Sequence, residues 1–548
     1  MKADKLYLGN IITMDERKPR AEALCVKDGL IQYVGSEAIA RSLCDDGTAV
    51  IDLGENYIYP GFMEAHCHPL GAGKMLDKDS IADLSAGTNL EEYVAILKDF
   101  IDKHPGMVRY AAQGFMERDV QPTKELLDAL NVDVPIIITS VDGHSAWVNS
   151  KTLEEFNIGQ NAIDEWGTDQ VRVGADGKPT GYLSEGPVFY IRSATPPDPQ
   201  RGAKALLMAQ DFFFSKGYTA VYDAGLELID KAALEAYEIL CNSGELKLRT
   251  YAGGLIDENC TDIPAAVKAI AEKMEKYNNE YFKIIGVKSF TDGVIEAHTG
   301  LLLDDYSDSP GYKGVARMYE HDKLVRLYTK AAEYGMNVHV HTVGDGAIRV
   351  NLDAIEEAAK ATGLMNQRNA LAHLQQVAES DIQRFADLNV MSVVSPLWAP
   401  KGPDYFPQEL AYVGEERAEK AYPVKSFFDA GANVVYHTDF PVSAKISVPN
   451  AVYTAEKRKY PGTPDSAVRR LDEQVSRYQS ILAMTKNVAY MWHEEDRLGS
   501  LECGKIANMS IFDTDFLADD IEKAGAAQVV CTIVDGEIVY SAIKNTNI

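Results

Sequence analysis

No run of about 18 consecutive apolar residues occurs in this 548-residue chain, so no membrane-spanning helix is expected. The first twenty residues, MKADKLYLGNIITMDERKPR, lack the apolar core and small-residue cleavage site of a secretion signal. Positive charge is scarce: 54 Lys and Arg stand against 82 Asp and Glu, a net charge of −28. Such a surface repels phosphate backbones and anionic lipid, which argues against a nucleic-acid or membrane partner. The seven cysteines (Cys25, Cys44, Cys67, Cys241, Cys260, Cys503 and Cys531) are odd in number, scattered and without a CxxC pair. They read as packed, reduced thiols of a cytoplasmic protein, not as a disulfide framework. Short-period repeats and low-complexity tracts are also missing. What is there, 46% hydrophobic and 25% charged residues, is ordinary for a soluble globular enzyme. The length suggests several domains, or one large barrel with additions.

Residues 5–59 alternate apolar runs with turn signals, and Asp28-Gly29 and Asp46-Gly47 sit where hairpin turns would sit. The last fifty residues look the same, with NMSIFDTD, AQVVCTIVDGEIVYSA and another hairpin signal at Asp535-Gly536. Neither end has enough area to fold separately. Residues 1–58 and 498–548 are therefore expected to pair into one small β-sandwich, with 59–497 inserted between them.

That middle alternates short buried strands with helical segments, the α/β pattern of a barrel. Eight candidate strands cover 58–68, 218–225, 247–254, 282–290, 337–344, 369–375, 390–396 and 433–439. Amphipathic stretches such as 323–335 and 379–389 lie between them. The count predicts a distorted (β/α)8 barrel with a large insertion after strand 1. Residues 70–215 are too long for one loop. With their own strand-like pieces, VRYAAQGF and PIIITSVDG, they are expected to form a lid subdomain over one barrel mouth.

His66 and His68, in EAHCH, alternate onto one side of a strand. His341, His373 and Asp439 fall at or near the ends of strands five, six and eight, and Lys288 late in strand four. The C-terminal ends of barrel strands converge on one mouth, where active sites lie. Four imidazoles and a carboxylate there suit zinc or another divalent transition metal. Each residue also has a plainer reading. The HxH pair could be structural, His341 or His373 a hydrogen-bonded core histidine, Asp439 a cap or turn residue, and Lys288 a snorkelling cation. The conjunction at strand ends, in consistent order, favours the metal.

PGFMEAHCHP, DGHSAWVNS, VKSFTDGVIEAHTG, HVHTVGDGAI, ALAHLQQV, HTDFPV and GSLECGKIANMSIFD together resemble the amidohydrolase superfamily. The resemblance is to its amidohydrolase-3 branch, which includes YtcJ-like proteins and N-substituted formamide deformylases, and it covers nearly the whole chain. It implies that His66, His68 and Asp439 hold a more buried metal and His341 and His373 a more exposed one. Lys288 would be carboxylated and bridge the two; unmodified, it would leave one ion per chain. Zinc, one or two ions per chain, is the cofactor implied. Glu64 stands where the family usually has Asp before the HxH pair. His339, two residues before His341, faces the same side nearer the strand's middle and reads as core or, less favoured, as a residue supporting a ligand, and Asp345 as a turn-forming or supporting acid.

The implied reaction is hydrolysis of a non-peptide C–N bond by metal-activated hydroxide, with Asp439 shuttling the proton. The substrate expected is a small amide or formamide with an N-substituent. His144, in DGHSAWVN, is a candidate catalytic and substrate-binding donor, or else a turn residue of the lid. His298 has a weaker claim to bind substrate. Trp398 is a candidate to line the pocket beside Tyr405, with packing of the insertion as the alternative for both. One rival is a mononuclear deaminase of a heterocyclic amine, disfavoured because HTVGDGA offers Asp345 and no glutamate. The other is a catalytically silent scaffold, disfavoured because all six ligand positions are filled. A homo-oligomer suits such a fold, but no sequence feature sets its size.

Overall fold

The computed structural model describes residues 2–542 apart from 117–121, 141–142, 144, 195–196, 229, 316–319, 365, 404, 444–445 and 464–465. The chain forms two compact units: Met1–His68 with Gln210–Leu226 and Leu240–Ile548, and Pro69–Ala209 with Glu227–Ile239.

The larger unit holds eight parallel strands: β1 (Phe62–Cys67), β2 (Tyr218–Leu226), β3 (Arg249–Leu255), β4 (Phe282–Phe290), β5 (Asn337–Thr342), β6 (Ala370–His373), β7 (Met391–Val394) and β8 (Val434–Tyr436). They hydrogen-bond in sequence order from β1 to β8. All eight stand where the alternation predicts. Parallel strands covered on both faces read as near-continuous apolar runs, and every residue of β1, β2, β6, β7 and β8 is buried. The remaining seam is closed by backbone bonds at the C-terminal end. His68 N–H donates to Phe440 O (2.9 Å), and Asp439 N–H to His66 O (3.0 Å). Glu64 staples the same seam, its Oε1 accepting the Thr438 N–H (3.0 Å) and the His66 N–H (3.1 Å). Helices such as Ile263–Tyr277, His321–Glu333, Asp345–Thr362 and Glu379–Asp387 lie between the strands.

Strands from both ends of the chain form one continuous seven-stranded sheet. Its order is Glu537–Ser541, Val529–Val534, Met509–Phe512, Ala49–Pro60, Lys5–Ile12, Arg20–Lys27, Leu30–Gly35. Tyr7, Ile11, Leu24, Ile58, Ile511 and Ile533 share one apolar cluster within it. Asp28-Gly29 and Asp535-Gly536 make hairpin turns with positive φ at both positions, as that turn type demands. Asp46-Gly47 does not. It turns the chain from helix Glu37–Ser42 into strand Ala49–Pro60, with Thr48 N–H bonded to Asp45 O. The candidate strand 58–68 likewise splits in two, because Ala49–Pro60 belongs to this sheet and β1 begins at Phe62. Gly61 lies between them, where a Cβ would fall 2.2 Å from Thr219 Oγ1 on β2.

Acids before β4, after the barrel's last strand and in the terminal sheet pair with cations at the N-terminal end of the barrel. Buried Arg249, which opens β3, donates to Glu280 (2.9 Å) and Asp535 (2.6 Å). Tyr281 O–H also donates to Asp535 (2.6 Å). Arg497 reaches Glu280 (2.5 Å) and Glu494 (3.0 Å), and Lys283 pairs with Glu494.

The smaller unit has its own six-stranded sheet, ordered Val171–Val173, Pro179–Ser184, Ser145–Val148, Ile136–Ser140, Tyr110–Phe115, Ala82–Asp83. The two pieces read as strand-like, in VRYAAQGF and PIIITSVDG, are parallel neighbours in it. Trp147, Phe115, Tyr93 and Leu97 pack in its core. Among the described residues no helix is long and apolar enough to cross a membrane.

Candidate metal centre

Strand alternation carries Glu64, His66 and, just past the end of β1, His68 to one side. The barrel seam then brings Asp439 against them. Asp439 Oδ1 lies 3.4 Å from His66 Nε2 and 3.2 Å from His68 Nε2. One ligand atom from each of these three residues falls within 4.8 Å of the others. The backbone bends to allow this: Asp439 has φ +56°, and His373, at the end of β6, has φ +83°. Non-glycine residues in that region carry strain of about 1–3 kcal/mol, which accumulates at functional sites.

The other sequence-predicted residues gather at the same mouth. The His373 ring lies 4.8 Å from that of His66 and 4.4 Å from that of His341. Lys288 is fully buried on β4, its Nζ 4.8 Å from the Phe290 ring centre and without a hydrogen-bond partner among the described residues. Trp398 stacks on His373 (5.4 Å, 17°) and donates from Nε1 to Ser443 Oγ (2.8 Å).

His298 is placed differently. It bonds Asp308 (2.8 Å) and lies against Tyr306 and Tyr412. Asp345 opens helix Asp345–Thr362 and accepts the N–H of distant Leu303 (2.9 Å), tying a loop to the helix start. Tyr405 is largely exposed. His144 lies outside the described residues.

Three side chains that the sequence reading passed over, or left as core, join the cluster. His437, two residues before Asp439, packs its ring 4.9 Å from His373 and 5.2 Å from His66. The same every-second-residue rule that pairs His66 with His68 would have found it. His339 is buried as expected, but its Nε2 also lies 2.8 Å from His66 Nδ1. Buried Asp292 accepts the N–H groups of Leu301 (2.9 Å), Val343 (3.0 Å) and Gly344 (2.8 Å), and faces His341 Nδ1 at 3.5 Å.

Burial sets most of the charge states. It holds His66 well below the usual imidazole range, with the Lys288 amine adding to the effect. It also holds His373 low, with His341 adding. His437 drops to about 4 through burial, against the pull of Asp439. Burial pushes the Lys288 amine down to about 7, again opposed by Asp439. It pushes the Glu64 carboxyl up to about 8, although the His66 and Thr438 N–H groups oppose it. Burial alone would raise Asp439 too, but neighbouring His68, His373 and His437 outweigh it and hold the carboxyl below its usual range. Neutral His66 and His373 beside an ionised Asp439 are protonation states that suit ligands of a divalent metal.

A family model described as the amidohydrolase family matches residues 49–540. The chain is 27% identical over 540 residues to YtcJ of Bacillus subtilis, covering 97% of this chain and 98% of that protein. It is 26% identical over 553 residues to an N-substituted formamide deformylase of Arthrobacter pascens, covering 97% of each. Among solved structures, a metal-dependent hydrolase of uncharacterized function from Pyrococcus horikoshii superposes with a TM-score of 0.77 at 25% identity. That match covers 94% of this chain and 99% of the other.

Proposed function

This chain belongs to the amidohydrolase family of metal-dependent hydrolases, and on that premise we propose that it cleaves the C–N bond of a small N-substituted amide or formamide. The observation that carries the reading is the meeting of His66, His68 and Asp439 across the barrel seam, with ligand atoms within 4.8 Å. The donor set fits a divalent transition metal: borderline nitrogen ligands, one carboxylate, and burial that keeps His66 and His373 neutral. In this proposal His66, His68 and Asp439 hold one ion, and His341 and His373 hold a second. When bound, such ions supply Lewis acidity to a water molecule and to the substrate carbonyl.

The chain's own groups do the rest. Asp439, held ionised, takes a proton from the attacking water and returns it to the leaving nitrogen. Asp292 faces His341 Nδ1 at 3.5 Å, placed to take its N–H once the ring is held by a metal, as supporting acids do for ligating imidazoles. Trp398, flat against His373, gives the mouth an apolar wall for the N-substituent. The Lys288 amine, with burial moving it to about 7, is partly uncharged at neutral pH. It can attack carbon dioxide, forming an N–C bond and losing a proton to water. A carbamate at Lys288 would add an anionic oxygen donor for the ions that His66, His68, Asp439, His341 and His373 would hold.

The test is metal per chain by plasma mass spectrometry on protein washed of loose ions, followed by a panel of N-substituted amides and formamides. About two equivalents of metal with amide turnover is the expected result. One equivalent leaves Lys288 unmodified and removes the bridging role. No metal, even after supplementation, sinks the hydrolase reading.

A further inference from the structure

We infer that His339 is a positioning residue that keeps the His66 imidazole in the tautomer a metal needs, a proposal that rests on the metal-centre reading above. His66 Nδ1 and His339 Nε2 are 2.8 Å apart, so a single proton lies between the two rings. The other His66 nitrogen, Nε2, faces Asp439 Oδ1 at 3.4 Å. A metal ligand must offer a lone pair. With Nε2 bare, the one proton of a neutral His66 ring sits on Nδ1 and is donated to His339 Nε2. His339 then carries its own proton on Nδ1.

A ligating histidine commonly gives this bond to a carboxylate or a backbone carbonyl, which can only accept. Here the acceptor is a neutral imidazole nitrogen, so the bond brings no charge to two buried rings, where an added charge would be costly.

Packing sets the His339 ring in place. It stacks on Tyr222 at 4.7 Å and 17°, and stands in register with Lys288 across β4 and β5. Gly253 makes the stack possible, because a Cβ there would lie 2.5 Å from the Tyr222 hydroxyl oxygen.

The experiment measures zinc affinity of the full chain by chelator competition for wild type, H339F and H339Q, with melting temperature as the folding control. His339→Phe keeps a ring on Tyr222 but offers no acceptor, and a Kd about 10–100-fold weaker is expected. His339→Gln keeps an acceptor oxygen, and a Kd within a few-fold of wild type is expected. In ¹⁵N-histidine-labelled, metal-free protein the His66 Nδ1 resonance should be that of a protonated nitrogen in wild type and H339Q, but mixed in H339F. If H339F does not fold, H339L takes its place. Equal affinity of wild type and H339F overturns the inference. Equal weakening in H339F and H339Q assigns His339 to packing and also overturns it. Absence of zinc binding by wild type itself is a separate result: the metal-centre reading fails, and this inference falls with it.

Discussion

Arg249 and Lys288 are buried cations on neighbouring strands of one barrel, yet their surroundings differ completely. Arg249, at the N-terminal end, is paired with Glu280 and Asp535. Lys288, toward the C-terminal end, hydrogen-bonds nothing among the described residues, and neither does either ring nitrogen of His373 or His437. Burial is the same at both ends, so burial does not explain the contrast. Partners do. Where acids are supplied from flanking segments, the charge ties elements together. Where they are withheld, the polar atoms stay available to something other than the chain, at a desolvation cost that packing elsewhere must offset.

The contrast can be broken or sharpened by substitution at each end. The largest effect is expected at the mouth: Asp439→Asn should lower amide turnover about 10²–10⁴-fold, with little change in melting temperature. An unchanged rate would move the chemistry elsewhere. At the other end, Arg249→Met should destabilise the chain by about 2–3 kcal/mol in denaturant unfolding and leave metal content unchanged. The partner acids are a quarter to a half exposed, so water recovers part of the loss. The opposite sign is expected for Lys288→Met. Removing an unpartnered buried amine should stabilise the metal-free chain by about 1–3 kcal/mol while lowering metal stoichiometry. A destabilised K288M protein would show that Lys288 is a structural cation like Arg249. The smallest effect concerns the wall of the mouth: Trp398→Ala should raise KM roughly two- to tenfold for an amide with an aromatic substituent.

The contrast also bears on what could be read in advance. All eight barrel strands were legible because buried parallel strands are apolar along their whole length. The six candidate residues stood out because strand ends carry chemistry, and three of them, His66, His68 and Asp439, meet with ligand atoms within 4.8 Å. Strands β6 to β8 end earlier than the apolar runs suggest: the chain leaves extended conformation at His373 and Leu374 after β6, at the 3-10 turn Pro396–Trp398 after β7, and at Asp439 after β8. The two- to four-residue strands of the smaller sheet carry too little periodicity to register. His339 was noticed but taken as core, since one residue's spacing cannot separate a packed histidine from one bonded to a ligand. The N-terminal ion pairs were illegible for another reason: Arg249 and Asp535 are far apart in sequence, and no local pattern joins them.

Tyr59 and Ser510 are register partners in the terminal sheet. On a ribosome adding about 5–20 residues per second, they are made roughly 20–90 s apart. The seam joining His66 to Asp439 imposes a similar wait. A nascent chain therefore holds an open sheet edge and half a ligand set for most of its synthesis, and such an edge is a template for the wrong partner. If His66, His68 and Asp439 form the proposed site, the early HxH pair would not complete it alone, and metal capture would wait until the last barrel strand has emerged.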